Sequence, residues 1–144
     1  MNLFGMLEIS GSALAAERQR AEVVTSNMAN AETTRTLQGG PYRRQLVVFR
    51  ARRLPQFPLL LASFPRGAGQ GVRVDHVLAD PSPPLERFQP GHPDADAKGY
   101  VAYPAINPVE EMTDLLGAVR AYELNASAIQ AAKNMIQWSL DILR

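Results

Sequence analysis

Three absences limit what this 144-residue chain can be. It contains no cysteine, which excludes both a disulfide framework and a thiolate metal site. No stretch approaches the ~20 consecutive apolar residues of a membrane span, and the longest candidate, Leu54 to Phe64, is interrupted by Pro55 and Pro58. The first ten residues lack a basic region, and Glu8 interrupts their apolar run. We therefore expect neither membrane insertion nor a cleaved signal peptide.

Motifs of catalysis are also missing, since the chain has no glycine-rich phosphate loop, nucleophile elbow or Cys–His pair. The best metal candidate is the cluster of His92, Asp94 and Asp96, whose Asp-x-Asp-x-x-Gly pattern is similar to the start of a calcium loop. However, Lys98 occupies a ligand position, and Ala105 stands where the bidentate Glu is needed. We prefer a polar β-turn, with a metal-dependent enzyme as an alternative, and we expect no cofactor and no enzymatic activity.

Charge is distributed unevenly along the chain, although the net charge is only +1. Between Thr33 and Val74 there are arginines but no Asp, Glu or Lys, and the rest of the chain is net acidic. These arginines favour either a solvated loop face or contact with acidic protein surfaces, including those of a neighbouring copy. A nucleic-acid-binding module is the alternative. The arginines are Arg35, Arg43, Arg44, Arg50, Arg52, Arg53, Arg66 and Arg73.

The fold class predicted from the pattern is mainly α with a small β-rich insert. Asn107 as a cap, Pro108 at the first helical position and Glu110 three residues after the cap predict a helix that continues to the end of the chain. Residues 3–30 form a second apolar row, so we expect the two helices to pair as an antiparallel or parallel coiled coil. The predicted segments are an N-terminal helix in 1–34, a loop-rich β module in 35–106 and a C-terminal helix in 107–144.

The C-terminal helix carries two apolar rows on nearly opposite faces, whereas an ordinary surface helix carries one. We expect the row through Leu115 to pair with the N-terminal helix and the row through Leu124 to contact neighbouring molecules. A central helix of a monomeric bundle is the alternative, but the middle of the chain cannot supply two more long helices. Small residues lie between the rows, at Ala118, Asn125, Ala132 and Ser139. The predicted interface residues are Leu115, Val119, Tyr122, Leu124, Ile129, Met135, Ile136, Trp138, Leu140 and Ile142.

The N-terminal helix ends in a polar stretch. Asn, Ser and Thr side chains compete with the helix backbone for hydrogen bonds, so Asn27 and Asn30 indicate a helix stop followed by a turn. These two residues are three positions apart and share a face. The alternative is that both bond a neighbouring backbone.

Three stretches of the chain carry recognisable motifs. The first, from Ser26 to Thr34, is similar to an Asn-Leu-Ala-Asn-Ala signature, with Met28 in place of the usual Leu. The second is Gly40 to Arg44. The third runs from Pro90 through Met112 and is extended by Arg120 to Glu123 with Asn125. Together the three stretches resemble the superfamily of flagellar axial rod and hook proteins, and the last two point to one particular protein of the proximal rod. Residues 51–68 match no motif of the superfamily. The motif residues are Ser26, Asn27, Met28, Ala29, Asn30, Ala31, Thr33, Gly91, His92, Pro93, Asp94, Asp96, Gly99, Tyr100, Tyr103, Pro104, Asn107 and Pro108.

The resemblance implies a structural subunit of the flagellar rod, which crosses the periplasm and transmits torque. It implies copies of itself and other rod proteins as partners, in a helical assembly whose inner tube is built from terminal helices. It also implies export through the flagellar type III apparatus without a cleaved signal. Nucleic acid is not an expected partner.

Overall fold

A computed structural model describes residues 3–52 and 71–142 of the chain. Most of the stretch 51–68 that matches no motif of the superfamily, with Arg53 and Arg66, lies outside the described residues. The last two residues of the predicted C-terminal helix lie outside them as well.

Two long helices flank a small β region, which confirms the predicted fold class. Helix α1 spans Leu3–Ala29, and helix α2 spans Pro108–Ile142. Between them lie four strands, β1 (Gln45–Ala51), β2 (Val72–Ala79), β3 (Leu85–Phe88) and β4 (Tyr100–Tyr103).

Helix α2 begins where its capping residues predict. The side-chain Oδ1 of Asn107 accepts a hydrogen bond from the backbone N–H of Val109 at 3.1 Å, and its Nδ2 donates to Glu110 Oε1 at 3.2 Å. The carbonyl of Asn107 accepts the first helical bond, from the N–H of Glu111. The bond to Val109 satisfies an N–H group that has no partner within the helix, so the start of α2 is specified locally.

The helices run antiparallel, which resolves the orientation that the sequence left open. Asn27 near the end of α1 hydrogen-bonds Glu111 near the start of α2. About two turns back along α1, Arg20 bonds Asp114, which lies further along α2. Because the contacts move backward on one helix and forward on the other, the helices run in opposite directions.

The line of closest packing between the helices is built from small residues. Ala118 and Ala132 of α2 and Ala16 of α1 are almost fully buried, whereas Val119 and Tyr122 are each 43% exposed. This corrects the expectation that α2 pairs through the bulky row that contains Val119 and Tyr122. Alanine side chains let two helix backbones approach closely, and we call the line of Ala16, Ala118 and Ala132 the small-residue seam.

The strands form two antiparallel pairs, β1 with β2 and β3 with β4. The first pair is held against α1, because the Oγ of Ser12 accepts a hydrogen bond from the backbone N–H of Val72 at 3.0 Å. Gly71 makes this approach possible, since a Cβ built on it would lie 2.0 Å from the Ser12 Oγ. In the second pair, Val101 is fully buried and Tyr103 nearly so, while every residue of β3 is exposed.

Candidate assembly interface

The end of α1 is anchored by one buried amide. Asn27 is only 1% exposed, and its Oδ1 accepts hydrogen bonds from the backbone N–H of Gln45 at 2.9 Å and from the hydroxyl of Tyr42 at 3.1 Å. Its Nδ2 donates to the Gln45 carbonyl at 2.9 Å and to Glu111 Oε2 at 3.0 Å. Both donors and both acceptor positions of this amide are therefore used, which joins α1, β1 and α2.

A chain of charged groups extends from this amide. Glu111 is 1% exposed, and its Oε1 accepts a hydrogen bond from Arg44 Nε. Arg44 also lies 3.7 Å from Asp114, which is 3.3 Å from Arg20 on α1. A buried carboxylate is stable only when it is paired and hydrogen-bonded, and Glu111 meets that condition. We call the group formed by Arg20, Asn27, Arg44, Glu111 and Asp114 the polar junction.

A second contact joins the end of α1 to the distant Pro90–Gly99 loop. Thr34 Oγ1 donates to Asp94 Oδ2 at 2.8 Å, and Arg35 lies 3.7 Å from the same carboxylate. Asn30 closes the helix itself, because its Nδ2 donates to the Ser26 carbonyl at 2.9 Å. The two asparagines of the motif thus differ in role, since Asn27 bonds the backbone of another element and Asn30 bonds its own helix.

The loop itself is organised by hydrogen bonds within turns. His92 Nδ1 accepts from the backbone N–H of Asp94, and Asp96 Oδ1 accepts from the N–H groups of Lys98 and Tyr100. Gly99 has a φ of +82°, and an added Cβ would lie 2.9 Å from Phe88. In residues 3–52 and 71–142, no three His, Asp or Glu side chains are grouped to hold a metal ion. The His92 and Asp96 side chains thus bond within the turns of the loop, whereas the Asp94 carboxylate bonds the segment that follows α1.

Many predicted interface residues of α2 lie on the molecular surface. Leu115, Ile129 and Ile136 are half-buried beside the seam. The remaining seven are exposed, and they are Val119, Tyr122, Leu124, Met135, Trp138, Leu140 and Ile142. Leu124 is 72% exposed and Trp138 is 65% exposed. An isolated subunit therefore presents a long apolar surface, of the kind that marks protein–protein contact.

Two exposed features of the interface escaped the sequence analysis. Val109, Met112 and Leu116 form an apolar patch on the first turns of α2, and Leu37 projects fully exposed from a turn. The spacing of three and four residues between the members of the patch was a usable signal. The patch was missed because Val109, Met112 and Leu116 lie on a face of α2 whose later positions, from Arg120 onward, are polar.

Most described arginines of the basic segment are engaged within the chain. Arg35 faces Asp94, Arg44 faces Glu111, and both Arg50 and Arg73 lie within 3.4 Å of Asp75. Among the arginines of this segment that the structure describes, only Arg43 and Arg52 have no acidic partner in the described ranges. Four of the six described arginines of this segment are therefore paired with carboxylates of the same chain.

None of the helices within 3–52 and 71–142 is both long enough and apolar enough to cross a membrane.

Comparison with known proteins gives a consistent result along the chain. Residues 7–35 match the family model described as "Flagella basal body rod protein", and residues 97–142 match the model described as "Flagellar basal body rod FlgEFG protein C-terminal". The flagellar basal-body rod protein FlgC of Borreliella burgdorferi is 41% identical, over 100% of this chain and 99% of its own length. FlgC of Bacillus subtilis is 40% identical, over 99% of both chains. FlgC of an Escherichia coli strain is 36% identical, over 99% of this chain and 98% of its own.

Proposed function

The chain belongs to the FlgC family of flagellar basal-body rod proteins, and from that membership we propose how its two helices build the rod. The resemblance seen in the sequence is confirmed, since FlgC is the rod protein to which the motifs point. The protein is a structural subunit of the flagellar basal body, with a non-enzymatic role, and it assembles with other rod components.

The exposed apolar residues of α2 carry the assembly. Each subunit buries the small-residue seam internally, and the bulky rows on either side of it contact helices of adjacent subunits. Burial of apolar surface contributes about 25 cal/mol per Å², so a helix of this length gains substantially from such contacts. Contacts between different surfaces of successive copies generate an open helical array. Many such contacts then carry the torque in parallel.

The three segments have separate tasks in this proposal. The helices of 1–34 and 107–144 form the inner tube, and the β module of 35–106 lies outside it. Partners are further copies of this chain and other rod proteins. The subunit reaches the rod, which crosses the periplasm, through the flagellar type III export apparatus without a cleaved signal. The FlgC membership and the exposure of α2 support these proposals.

The observation that carries the assembly proposal is the 72% exposure of Leu124 in the middle of α2. Replacing Leu124 by Asp places a charge on this surface without entering the seam, so the subunit should fold normally. We expect the variant to be secreted but excluded from basal bodies, and cells that carry it to be non-motile. Immunoblots of isolated basal bodies and swimming assays measure both effects.

Ser127→Asp is the matched control, because Ser127 is also exposed on α2 but lies on its polar face. We expect this variant to enter the rod and to support swimming. Normal incorporation of the Leu124→Asp subunit would refute the assembly role of this surface.

A further inference from the structure

The face of α2 that packs toward α1 has a composition that repeats every seven residues. The row of the buried Ala118 and Ala132 also holds the small residues Asn125 and Ser139. Seven residues make about two helical turns, so a slip of α2 by seven residues would bring small residues to the places of small ones. The bulkier row beside it is apolar throughout and has the same spacing, with Leu115, Tyr122, Ile129 and Ile136. The packing of this face alone therefore fits more than one register.

The polar members of the repeat do not select a register. Asn125 Nδ2 donates a hydrogen bond to the Ala121 carbonyl at 2.8 Å, within its own helix. Ser139 Oγ likewise donates to the Met135 carbonyl at 2.8 Å. Because both side chains bond their own helix, they would keep these bonds if α2 slipped along α1.

The first position of the small-residue row is different. Glu111 lies seven residues before Ala118, and its buried carboxylate bonds the side chain of Asn27 on α1. One turn further along α2, Asp114 bonds Arg20 of α1. In the part of the chain that the structure describes, these are the two side-chain pairs that join the helices by hydrogen bonds or ion pairs. Both pairs belong to the polar junction, at one end of the helix pair.

A slip of seven residues would break both of these pairs. Ala118 and Ala121 would then occupy the places of Glu111 and Asp114, and neither alanine has a polar side-chain atom. The buried amide of Asn27 would lose its carboxylate partner. A buried polar group that loses its partner is destabilising, so the two pairs disfavour the slipped register.

We propose that the polar junction fixes the register in which α1 and α2 pair. The repeating face of α2 supplies packing that tolerates a slip by one repeat, and the two polar pairs select one register among these alternatives. A buried polar residue can set the register of paired helices in this way. In the selected register, the exposed apolar residues of α2 lie at one height relative to the β region. The inference concerns a single subunit, so it does not depend on the proposed assembly.

The distance between two spin labels measures the register. The native chain contains no cysteine, so Gln19→Cys on α1 and Gln137→Cys on α2 give two exposed attachment sites in the full-length protein. Gln19 lies 8 residues from Asn27, and Gln137 lies 26 residues from Glu111 in the same direction, so the sites are offset by about 27 Å along the helix axis. A slip of seven residues changes this offset by about 10 Å. Dilution with unlabelled protein restricts the measurement to labels within one subunit.

Removing the two carboxylates should release the register. In the labelled Glu111→Ala/Asp114→Ala protein, we expect a second distance that differs from the native one by about 10 Å. Asn27 keeps its bonds to Gln45 in this variant. The matched control is Glu123→Ala/Asp141→Ala, which also removes two carboxylates from α2 but at exposed positions. We expect the control to keep the single native distance.

Relocating the carboxylates by one repeat should move the register with them. This variant combines Glu111→Ala and Asp114→Ala with Ala118→Glu and Ala121→Asp, so the polar partners on α1 meet carboxylates only after a slip of seven residues. Because residue 118 then takes the place of residue 111, the label on α2 moves toward the junction. We expect the offset between the labels to shorten by about 10 Å.

A single unshifted distance in either variant would overturn the proposal, because the chain connections or the apolar packing would then set the register. A variant that is less stable in urea but keeps the native distance would also overturn it, since the junction would then contribute stability alone. Circular dichroism checks the helices, and the double-alanine variant decides the question if the relocation variant does not fold. Basal-body incorporation enters none of these measurements, so failure here leaves the proposed function standing.

Discussion

The side chains of Asn27 and Glu111 lie 84 positions apart in the chain and share a buried hydrogen bond of 3.0 Å. This bond links the end of α1 to the start of α2. Because Asn27 also bonds both backbone groups of Gln45, the first strand is attached at the same point. The polar junction is thus where the three segments of the chain are held together.

Replacing Asn27 by Ala should destabilise the subunit itself. The substitution removes four hydrogen bonds, and it leaves two backbone groups of Gln45 and the buried carboxylate of Glu111 without this partner. Each buried group left unsatisfied costs about 1–3 kcal/mol, so we expect the free energy of unfolding to fall by about 3 kcal/mol. Urea unfolding followed by circular dichroism measures this change. Asn30→Ala is the control, with an expected loss of about 1 kcal/mol, and equal losses would contradict the assignment.

Neutralising Glu111 should lower the free energy of unfolding more than neutralising its neighbour Glu110. Glu111→Gln removes a buried charge beside Arg44 and turns an amide donor toward either Arg44 or Asn27. Because hydrogen bonds to charged groups contribute about 1.5–3 kcal/mol, we expect a loss of about 2 kcal/mol in unfolding free energy. Glu110→Gln, on the exposed side of the same turn, should change stability by about 0.5 kcal/mol or less. Similar denaturation midpoints for the two variants would show that burial does not matter here.

Two glycines should respond oppositely to the same substitution. At Gly71 an added Cβ would lie 2.0 Å from the Ser12 Oγ and 2.8 Å from the Ser12 Cβ, so Gly71→Ala should destabilise by about 1–3 kcal/mol. At Gly117, inside α2, an added Cβ meets nothing within 4 Å, so Gly117→Ala should stabilise by about 0.5–1 kcal/mol. Thermal unfolding of both variants checks the signs. A stabilising Gly71→Ala would mean that Ser12 does not pack against this backbone.

The pKa of Asp80 should lie below its usual value of 3.8. Hydrogen bonds from the hydroxyl and the backbone N–H of Ser82 favour the charged carboxylate and lower the pKa. Since the folded-state pKa is depressed, the stability that this turn contributes is present above the unfolded pKa and is lost as pH falls through the folded one. A carboxyl NMR titration should show the low midpoint, and Ser82→Ala should raise it. An unchanged midpoint in that variant would refute the role of the hydroxyl.

Local signals explain why the elements of the fold were predictable. The cap at Asn107 and the helix stop at Asn30 both act on neighbouring residues, so the sequence displays them directly. The orientation of the helices was not predictable, because it depends on pairs such as Arg20 with Asp114 that are distant in the chain. The packing line was mispredicted for a related reason. Bulky residues dominate a hydrophobic pattern, whereas the closest approach here needs Ala118 and Ala132.

The polar junction shows a further limit of reasoning from sequence. Glu111 and Arg44 are ordinary charged residues in the pattern, and a charge is most often solvated. The burial and pairing of Glu111 become visible only in the folded chain, where α1, β1 and α2 come together. The exposed patch of Val109, Met112 and Leu116 was missed for the opposite reason, since apolar residues at helical spacing are normally assigned to a core.

The antiparallel course of the two helices has a practical consequence for labelling. Leu3 and Ile142 both lie toward the end of the molecule that is remote from the polar junction, because α1 begins and α2 ends there. A fluorophore or gold particle attached near either residue would therefore mark the same pole of the subunit. One such label, compared with a second on the β region, would reveal which way each molecule points along the shaft.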